Sequence, residues 1–420
     1  MSKLLYHIFL GGYALGIRMA ALWNPKARLW LAGRKNLFAA INSQLSATNH
    51  QLIWMHCASL GEFEQGRPLL ENIKLQYPGY GIVLSFFSPS GFEVMKDYPG
   101  ADYVFYLPMD SPSHAKKFID AVKPSLVLWV KYEYWFYYLD ELKRRNIPVI
   151  LVSGIFRAGQ PFFKWYGHIW RVMLGCFTHC FVQNEESGSL LKTIGISENF
   201  SLNGDTRFDR VIAIVRDFEP IPHIDNFCGN NRVIVAGSTW EEDEIELLHY
   251  VKVHPEIKFI IAPHEIGEKK LNEVKKEFPN SIFYSSLADN PSVMDDNNNV
   301  LIIDNIGMLS RLYKYATITY VGGGFGNDGV HNVLEAAVFG KPVVFGPEYE
   351  KFAEAVGLVD AGGGLSFSLP LGLEKIFTDL LSDESNLKKT GDASKEFVFA
   401  QQGATEKIIH YIQEKRLLTS

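Results

Sequence analysis

Asp and Glu are absent before Glu62, whereas Lys3, Arg18, Lys26, Arg28, Arg34 and Lys35 all precede it. An acid-free basic start of this kind suits an anionic membrane surface. A long hydrophobic run is also missing. Only the 14 residues at positions 4–17 separate Lys3 from Arg18, short of the roughly 20 a helix needs to cross a bilayer squarely. No convincing small-residue cleavage pattern follows Arg18, which argues against a signal peptide. The apolar stretch Leu4–Trp23 and the basic NPKARLWLAGRK behind it therefore suggest an interfacial helix or a tilted anchor, the alternative being a core helix of the first domain. Cysteine is scarce: Cys57, Cys176, Cys180 and Cys228 form no CxxC pair and none has metal-like spacing with a histidine, as expected for reduced thiols in a cytosolic setting. No Asp-x-Asp stands at a strand end where a sugar-nucleotide metal would sit, so neither a metal nor another cofactor is expected. A net charge of −6 gives no argument for nucleic acid, and no short-period repeat is present.

What is present is a large apolar fraction, 47% over 420 residues, more than one core usually holds and enough for two domains of about 200 residues each. From residue 51 short apolar runs alternate with amphipathic stretches, the βαβ pattern of a parallel sheet with helices on both faces. The runs are Leu52–His56, Ile82–Phe87, Tyr103–Tyr106, Leu126–Val130, Val149–Ser153 and Cys180–Gln183, with helices such as Ala115–Val122 and Trp135–Arg145 between them. A second series follows at Val233–Ala236, Phe259–Ala262, Ser281–Tyr284, Val300–Ile303, Ile318–Val321 and Pro342–Phe345. Between the two series, FEPIPHIDNFCGNN has no periodicity and reads as a linker. The expected organisation is a membrane-associated segment at 1–35, a first domain at 36–217, a linker at 218–231 and a second domain at 232–420. Both domains are α/β, doubly wound and Rossmann-like, with a polar cleft between them.

In open α/β sheets ligands bind outside the carboxyl ends of the strands. The most informative end is TITYVGGGFGNDGVHNVLEAAVFGKPVVFGP, in which Gly323 and Gly324 precede a helical pattern starting near His331. Glycine backbone and a helix N-terminus would take a phosphate, while Asn332 and Glu335 would take ribose hydroxyls or merely cap the helix. Gly237, Ser238 and Thr239 repeat the arrangement before WEEDE, and His264 ends another strand, where it is either structural or part of the site. In the first domain Ser59, Gly61 and Glu62 occupy a strand-to-helix turn. Ser59 and Glu62 fit a capping box, but Glu62 could instead take a proton from an attacking hydroxyl. Ser88, Ser90 and Gly91 suit a phosphate, although Ser90 and Glu93 also fit a capping box. Lys131 and Glu133 lie among Tyr132, Tyr134 and Trp135, a carboxylate in an aromatic wall that suggests sugar contact. Asp304 and Gly307 reach the lip of the second domain's site.

With these residues in place the chain resembles the 3-deoxy-D-manno-octulosonic acid (Kdo) transferases of lipopolysaccharide biosynthesis over nearly its whole length. WMHCASLGE is similar to the family's H-x-A-S-x-G-E, SPSGFE to T-P-T-G, LPMD to L-P-x-D and GDTRFD to G-N-x-K-F-D. GSTWEEDE resembles G-S-T-H-x-x-E-E, DNIGMLSRLY resembles D-T-I-G-E-L-x-x-L-Y, and YVGGGF with GVHNVLEAA resembles F-V-G-G-S with G-G-H-N-x-L-E-P-A. The resemblance implies a GT-B fold and an inverting glycosyltransferase on the cytoplasmic face of the inner membrane, moving Kdo from CMP-Kdo to a lipid A precursor. It makes Glu62 the general base, assigns Gly237, Ser238, Thr239, Asn332 and Glu335 to the CMP group, and gives Glu133 a supporting role as the second acid of E-x-E-x-W. The chain departs from the family pattern at Lys131 for the first acid of that motif, at Ile155 in the N-x-R-x-S region, at His264 in P-R-H and at Met308 in G-E-L. Alternatives are a GT-B enzyme using a UDP-sugar, such as an epimerase or an N-acetylglucosaminyl transferase, or a membrane protein that binds a nucleotide sugar without turnover.

Overall fold

The computed structural model describes residues 2–419 except Ala47, Asn49 and Asp296. Its first sheet comprises β1 (Gln51–Cys57), β2 (Tyr80–Phe86), β3 (Tyr103–Tyr106), β4 (Pro124–Val130), β5 (Val149–Gly154), β6 (His179–Val182) and β7 (Phe200–Leu202). All pairings are parallel, in the order β3-β2-β1-β4-β5-β6-β7. Helices cover both faces, so the strands are apolar throughout rather than alternating. Leu52, Trp54, Val83, Val127 and Trp129 enter one core, and Ile53, Met55, Ile82, Leu84 and Leu128 the other.

The second sheet comprises β8 (Val233–Thr239), β9 (Lys258–Pro263), β10 (Ser281–Phe283), β11 (Val300–Ile302), β12 (Ile318–Val321), β13 (Val343–Phe345) and β14 (Gly364–Ser366). It is again parallel, in the order β10-β11-β9-β8-β12-β13-β14. On one face Ile234, Ala236, Phe259, Ile261 and Tyr320 pack with Leu247 and Tyr250 of helix Glu241–Val253 and Leu373 and Phe377 of helix Pro370–Ser382. In both sheets the strand order reverses beside the first strand of the series, between β1 and β4 and between β8 and β12. Those two crevices are where a ligand is expected.

The chain divides into compact units of residues Met1–Arg210 with Gly403–Ser420, and Val211–Gln402. This differs from the expected boundaries at both ends of the second domain. Residues 218–231 are not a bare linker: they contain helix Ile224–Cys228, and Ile221, Ile224 and Phe227 are buried. The final helix, Ala404–Glu414, belongs to the first unit because Ile408 and Ile412 fill the core under Leu69, Ile73 and Phe181. Asp209 fixes its start, accepting from the N–H groups of Gly403 (2.7 Å) and Thr405 (2.6 Å).

Helix Ser2–Ala20 combines features of both expected alternatives. Tyr6 and Leu10 are buried in the first unit, and the Tyr6 hydroxyl donates to Asp110 at 2.6 Å while accepting from the N–H of Phe136 at 3.1 Å. Leu4, Leu5, Ile8, Phe9, Leu15 and Met19 remain exposed. Among the described residues no single helix is long and apolar enough to cross a membrane; Lys3–Ala20 and Pro25–Ala32 would be so only as a pair bent by 119°. Arg34 leaves the basic surface cluster altogether. Its guanidinium donates to the carbonyls of Leu107 (3.0 Å), Trp30 (3.2 Å) and Phe87 (2.8 Å), and burial pushes its pKa down to about 9.

Candidate functional site

In the first unit the turns after β2, β1 and β4, three adjacent strands, carry every site residue expected there. Helix Leu60–Gln76 begins directly after β1 and places Glu62 in its first turn, almost fully buried at 8% exposure. The capping box does not form. Ser59 makes no side-chain cap bond, and the Glu62 carboxylate accepts instead from the N–H of Ala58, one residue before the cap. It also accepts from the N–H of Tyr132. Burial pushes the Glu62 pKa up to about 7 and the Glu133 charge adds to the rise, while those two N–H groups and the Lys131 ammonium oppose it. A carboxylate that titrates near neutrality is matched to general-base work.

Glu133 is held by two side chains. His56 Nε2 lies 2.9 Å and Trp135 Nε1 3.0 Å from its Oε2, and Trp129 Nε1 donates to its backbone carbonyl. The His56 Nδ1 meets the Ser85 hydroxyl at 2.9 Å, and that hydroxyl accepts from Trp54 Nε1 at 2.7 Å. Proton directions assigned from these partners run from Trp54 through Ser85 and His56 to Glu133, which gives each of these side chains a partner. Lys131 turns into the left-handed region (φ 60°) as β4 ends. After β2, Ser88 caps helix Pro89–Met95 by accepting from Ser90 N–H at 3.3 Å, and Ser90 is exposed. The expected Ser90–Glu93 box is absent, because Glu93 accepts from the Tyr106 hydroxyl at 3.0 Å. Gly91 serves packing: a Cβ there would stand 2.2 Å from the Phe86 ring. Gly61 is open, with nothing near where a Cβ would be.

In the second unit the ends of β9, β8 and β12 are likewise adjacent and bring His264, the 237–239 turn and the glycine loop together. Here the expectation of a bare anion cradle needs correction. Asp243, buried in the first turn of helix Glu241–Val253, accepts from the N–H groups of Trp240 (2.9 Å) and Gly323 (2.9 Å) and from the Tyr320 hydroxyl (2.7 Å). Two N–H donors at this crevice are thus already bound to a carboxylate of the chain itself. Thr239 is fully buried and donates to Glu244 at 3.0 Å, which in turn pairs with Lys270 at 2.6 Å, so Thr239 is a structural residue. Gly237 is required by Tyr313, whose hydroxyl would lie 2.1 Å from a Cβ, and Gly324 by the backbone of Gly346 at 2.6 Å. Ser238 (φ 54°) and Gly323 (φ 90°) take left-handed conformations as their strands end. The helical pattern near His331 shrinks to a short helix, Leu334–Ala337. Asn332, one residue before its N-cap Val333, accepts from Leu334 N–H at 3.2 Å and donates to Glu335 Oε1 at 2.9 Å. Asp304 accepts from Ser285 N–H at 3.0 Å and from its hydroxyl, and so pins the turn after β10.

Three rings stack over this crevice. Trp240 and His264 lie 4.5 Å apart at 25°, and His264 and His331 4.6 Å apart at 18°. Trp240 Nε1 donates to His331 Nε2 at 3.0 Å, so His331 is neutral and keeps its proton on Nδ1. Burial, with His264 second, pushes the His331 pKa down to about 4.

Residues 33–210 match the family model described as 3-deoxy-D-manno-octulosonic-acid transferase (kdotransferase). The 3-deoxy-D-manno-octulosonic acid transferase of Haemophilus influenzae is 25% identical over 94% of this chain and 94% of its own length. That of Aquifex aeolicus is 28% identical over 80% of this chain and 88% of its own length. Family model and relatives together support a likeness to the Kdo transferase family along most of the chain. These matches mark it as a glycosyltransferase. Its fold is of the GT-B type, as seen in the UDP-GlcNAc 2-epimerase of Neisseria meningitidis (TM-score 0.61, 17% identity, 87% of this chain and 100% of that one). The Acinetobacter baumannii MurG structure agrees (TM-score 0.53, 14% identity, 87% and 99%).

Three residues of this chain had no role assigned from sequence. His56 was visible within WMHCASLGE, but nothing in a linear pattern tells that its ring reaches Glu133. Asp243 looked like one of four acids in a helix start, EEDE, and only its burial sets it apart. Trp240 follows the 237–239 turn directly, but its partners are 24 and 91 positions away.

Proposed function

We propose that the protein transfers Kdo from CMP-Kdo to a hydroxyl of a lipid A precursor, with inversion at the anomeric carbon. The observation that carries this reading is Glu62, a buried carboxylate at the β1/β4 switch point whose pKa of about 7 is set by burial and by Glu133. Glu62 takes the proton of the acceptor hydroxyl as that oxygen bonds to the anomeric carbon. The bond from that carbon to the phosphate oxygen breaks, and CMP leaves with the electron pair. The network from Trp54 to Glu133 holds the neighbouring charge in place, which keeps Glu62 basic enough to work at neutral pH. On the second unit the donor's ribose is taken by the Asn332–Glu335 pair and its phosphate by groups that Asp243 leaves free, beside the Trp240–His264–His331 stack.

The site of action in this reading is the cytoplasmic face of the inner membrane. Helix Ser2–Ala20 exposes an apolar face, and Lys3, Arg18, Lys26 and Arg28 are exposed around it, a combination that binds anionic bilayers by burial and charge together. The test is CMP release from CMP-Kdo with and without a lipid A precursor, in wild type and Glu62→Gln, with UDP-N-acetylglucosamine as the competing donor. Acceptor-dependent CMP release that Glu62→Gln abolishes supports the reading; release of UDP instead would replace it with the UDP-sugar alternative.

A further inference from the structure

The first unit contains a cavity of about 590 Å³ lined by Leu5, Tyr6, Phe9, Glu133, Ile169 and Trp170, among others. That volume is in the range of small-ligand sites, and the mechanism above does not use it. Two features define its chemistry. Glu133 is the charged side chain in its lining; Tyr6 is committed to Asp110 and Trp135 to Glu133, and the other polar tips are the hydroxyls of Tyr132, Tyr134 and Tyr166 and the indole of Trp170, each on a large aromatic ring. Glu133 Oε2 itself accepts from both His56 and Trp135. Most of the lining surface is nonetheless aromatic and aliphatic carbon, so a sugar ring buried here would give up water for fewer hydrogen-bond partners than it has hydroxyls, whereas a hydrocarbon chain has none to satisfy. The second feature is continuity. Leu5 and Phe9 line the cavity yet are 60% and 59% exposed, and they lie on the same helix whose apolar face includes Leu4 and Ile8. One part of the lining thus reaches the exposed apolar surface, and another is Glu133, the residue whose charge helps set the pKa of Glu62.

We infer that this cavity binds one acyl chain of the lipid acceptor, entering past Leu5 and Phe9 and leaving its sugar head at Glu133 and Glu62. The inference rests on the reading of Glu62 as the base for a lipid-linked acceptor and adds what recognises the lipid. Binding of the chain is a positioning device: removing hydrocarbon from water holds the head group beside the base.

The test uses the full chain without vesicles and a series of n-alkyl glucosides of six to twelve carbons below their micelle concentrations, with glucose as the head-group control. Each added methylene should tighten binding about fourfold until the cavity is full, and glucose should not bind. Phe9→Glu should weaken dodecyl glucoside at least tenfold, while Ile8→Glu, equally exposed on the same helix but outside the cavity lining, should leave it unchanged. Both positions face solvent, so both variants should fold, which melting verifies. As a second probe from inside, Ile169→Trp should shorten the chain length at which affinity stops rising. Equal losses for Phe9→Glu and Ile8→Glu, or no dependence on chain length, would overturn the inference in favour of simple surface adsorption. Turnover of acceptor with indifference to its acyl chains removes this inference alone; chain binding with no CMP release removes the transferase reading alone.

Discussion

The two units share a topology and differ in what they do with a buried acid. Each has seven parallel strands, a reversal of strand order next to its first strand, and a carboxylate in the first turn of the helix that follows. In the second unit Asp243 receives three hydrogen bonds, two from backbone N–H groups and one from Tyr320, and becomes a fixed internal anion that ties the glycine loop to the end of β8. In the first, burial and then a second carboxylate raise the Glu62 pKa to about 7; burial raises Asp243 as well, but there three donors oppose it. One fold position thus yields a structural anion where donors converge and, where a second carboxylate stands near, a carboxylate that titrates near neutrality. Burial by itself does not decide between these roles; the partners do.

The largest effect expected from this contrast is on Glu62. Glu62→Gln keeps the acceptor for Ala58 N–H and removes basicity, so CMP release should fall about 10²–10⁴-fold while the melting temperature stays level or rises, since a buried charge is gone. A variant that turns over normally and melts lower would make Glu62 a helix-start residue like Asp243 and erase the difference between the units. Next in size, Asp243→Ala strands two backbone N–H groups and the Tyr320 hydroxyl, and should cost about 3 kcal/mol of stability on the scale of 1–3 for each buried unsatisfied group. Denaturant titration checks it, and a loss under about 1 kcal/mol would mean the glycine loop does not depend on its internal anion. Smaller again, Glu335→Ala should weaken CMP binding by about 1.5–3 kcal/mol in calorimetry. Unchanged affinity would leave the Asn332–Glu335 pair as a cap of its short helix and nothing more.

The sheets were legible because their strands are buried on both faces and read as unbroken apolar runs; each of the twelve expected runs is a strand in the structure to within a few residues. The two strands that were not foreseen, Phe200–Leu202 and Gly364–Ser366, are three residues long and lie at sheet edges, where half-exposed side chains leave no apolar run. The helix Ala404–Glu414 was assigned to the wrong unit because a helix's apolar stripe tells that it packs, not on which sheet. At the candidate sites, the expected residues do stand on turns after adjacent strands. Hydrogen-bond partners escaped: the Ser59 and Ser90 capping boxes fit the pattern yet do not form, and the glycines at 237 and 324 answer to Tyr313 and Gly346 rather than to an open cradle. Glycine spacing shows that backbone comes close to something, and the something is a three-dimensional fact.

The subtlest consequence of the comparison is a difference in sign with pH. Glu62 has a folded pKa raised by burial to about 7 from its ordinary 4.5, so its contribution is fully present below 4.5 and is lost as pH rises through 7. His331 has a folded pKa lowered to about 4 from 6.5, so its contribution is present above 6.5 and is lost as pH falls through 4, when protonating Nε2 would also break the bond from Trp240. Between pH 4.5 and 6.5 acidification should therefore tighten the turn around Glu62 and loosen the loop around His331. Whole-chain melting would blend the two, but hydrogen exchange of peptides covering 58–62 and 322–331 reads them separately. Glu62→Gln should flatten the first response only. His331→Gln, which keeps an acceptor for Trp240, should flatten the second only. Catalysis follows the first group: turnover should drop as pH falls below about 7, and Glu133→Gln, by removing the neighbouring charge, should move that drop to lower pH. If both peptides respond to acid in the same direction, the two crevices do not carry the opposite electrostatics described for them.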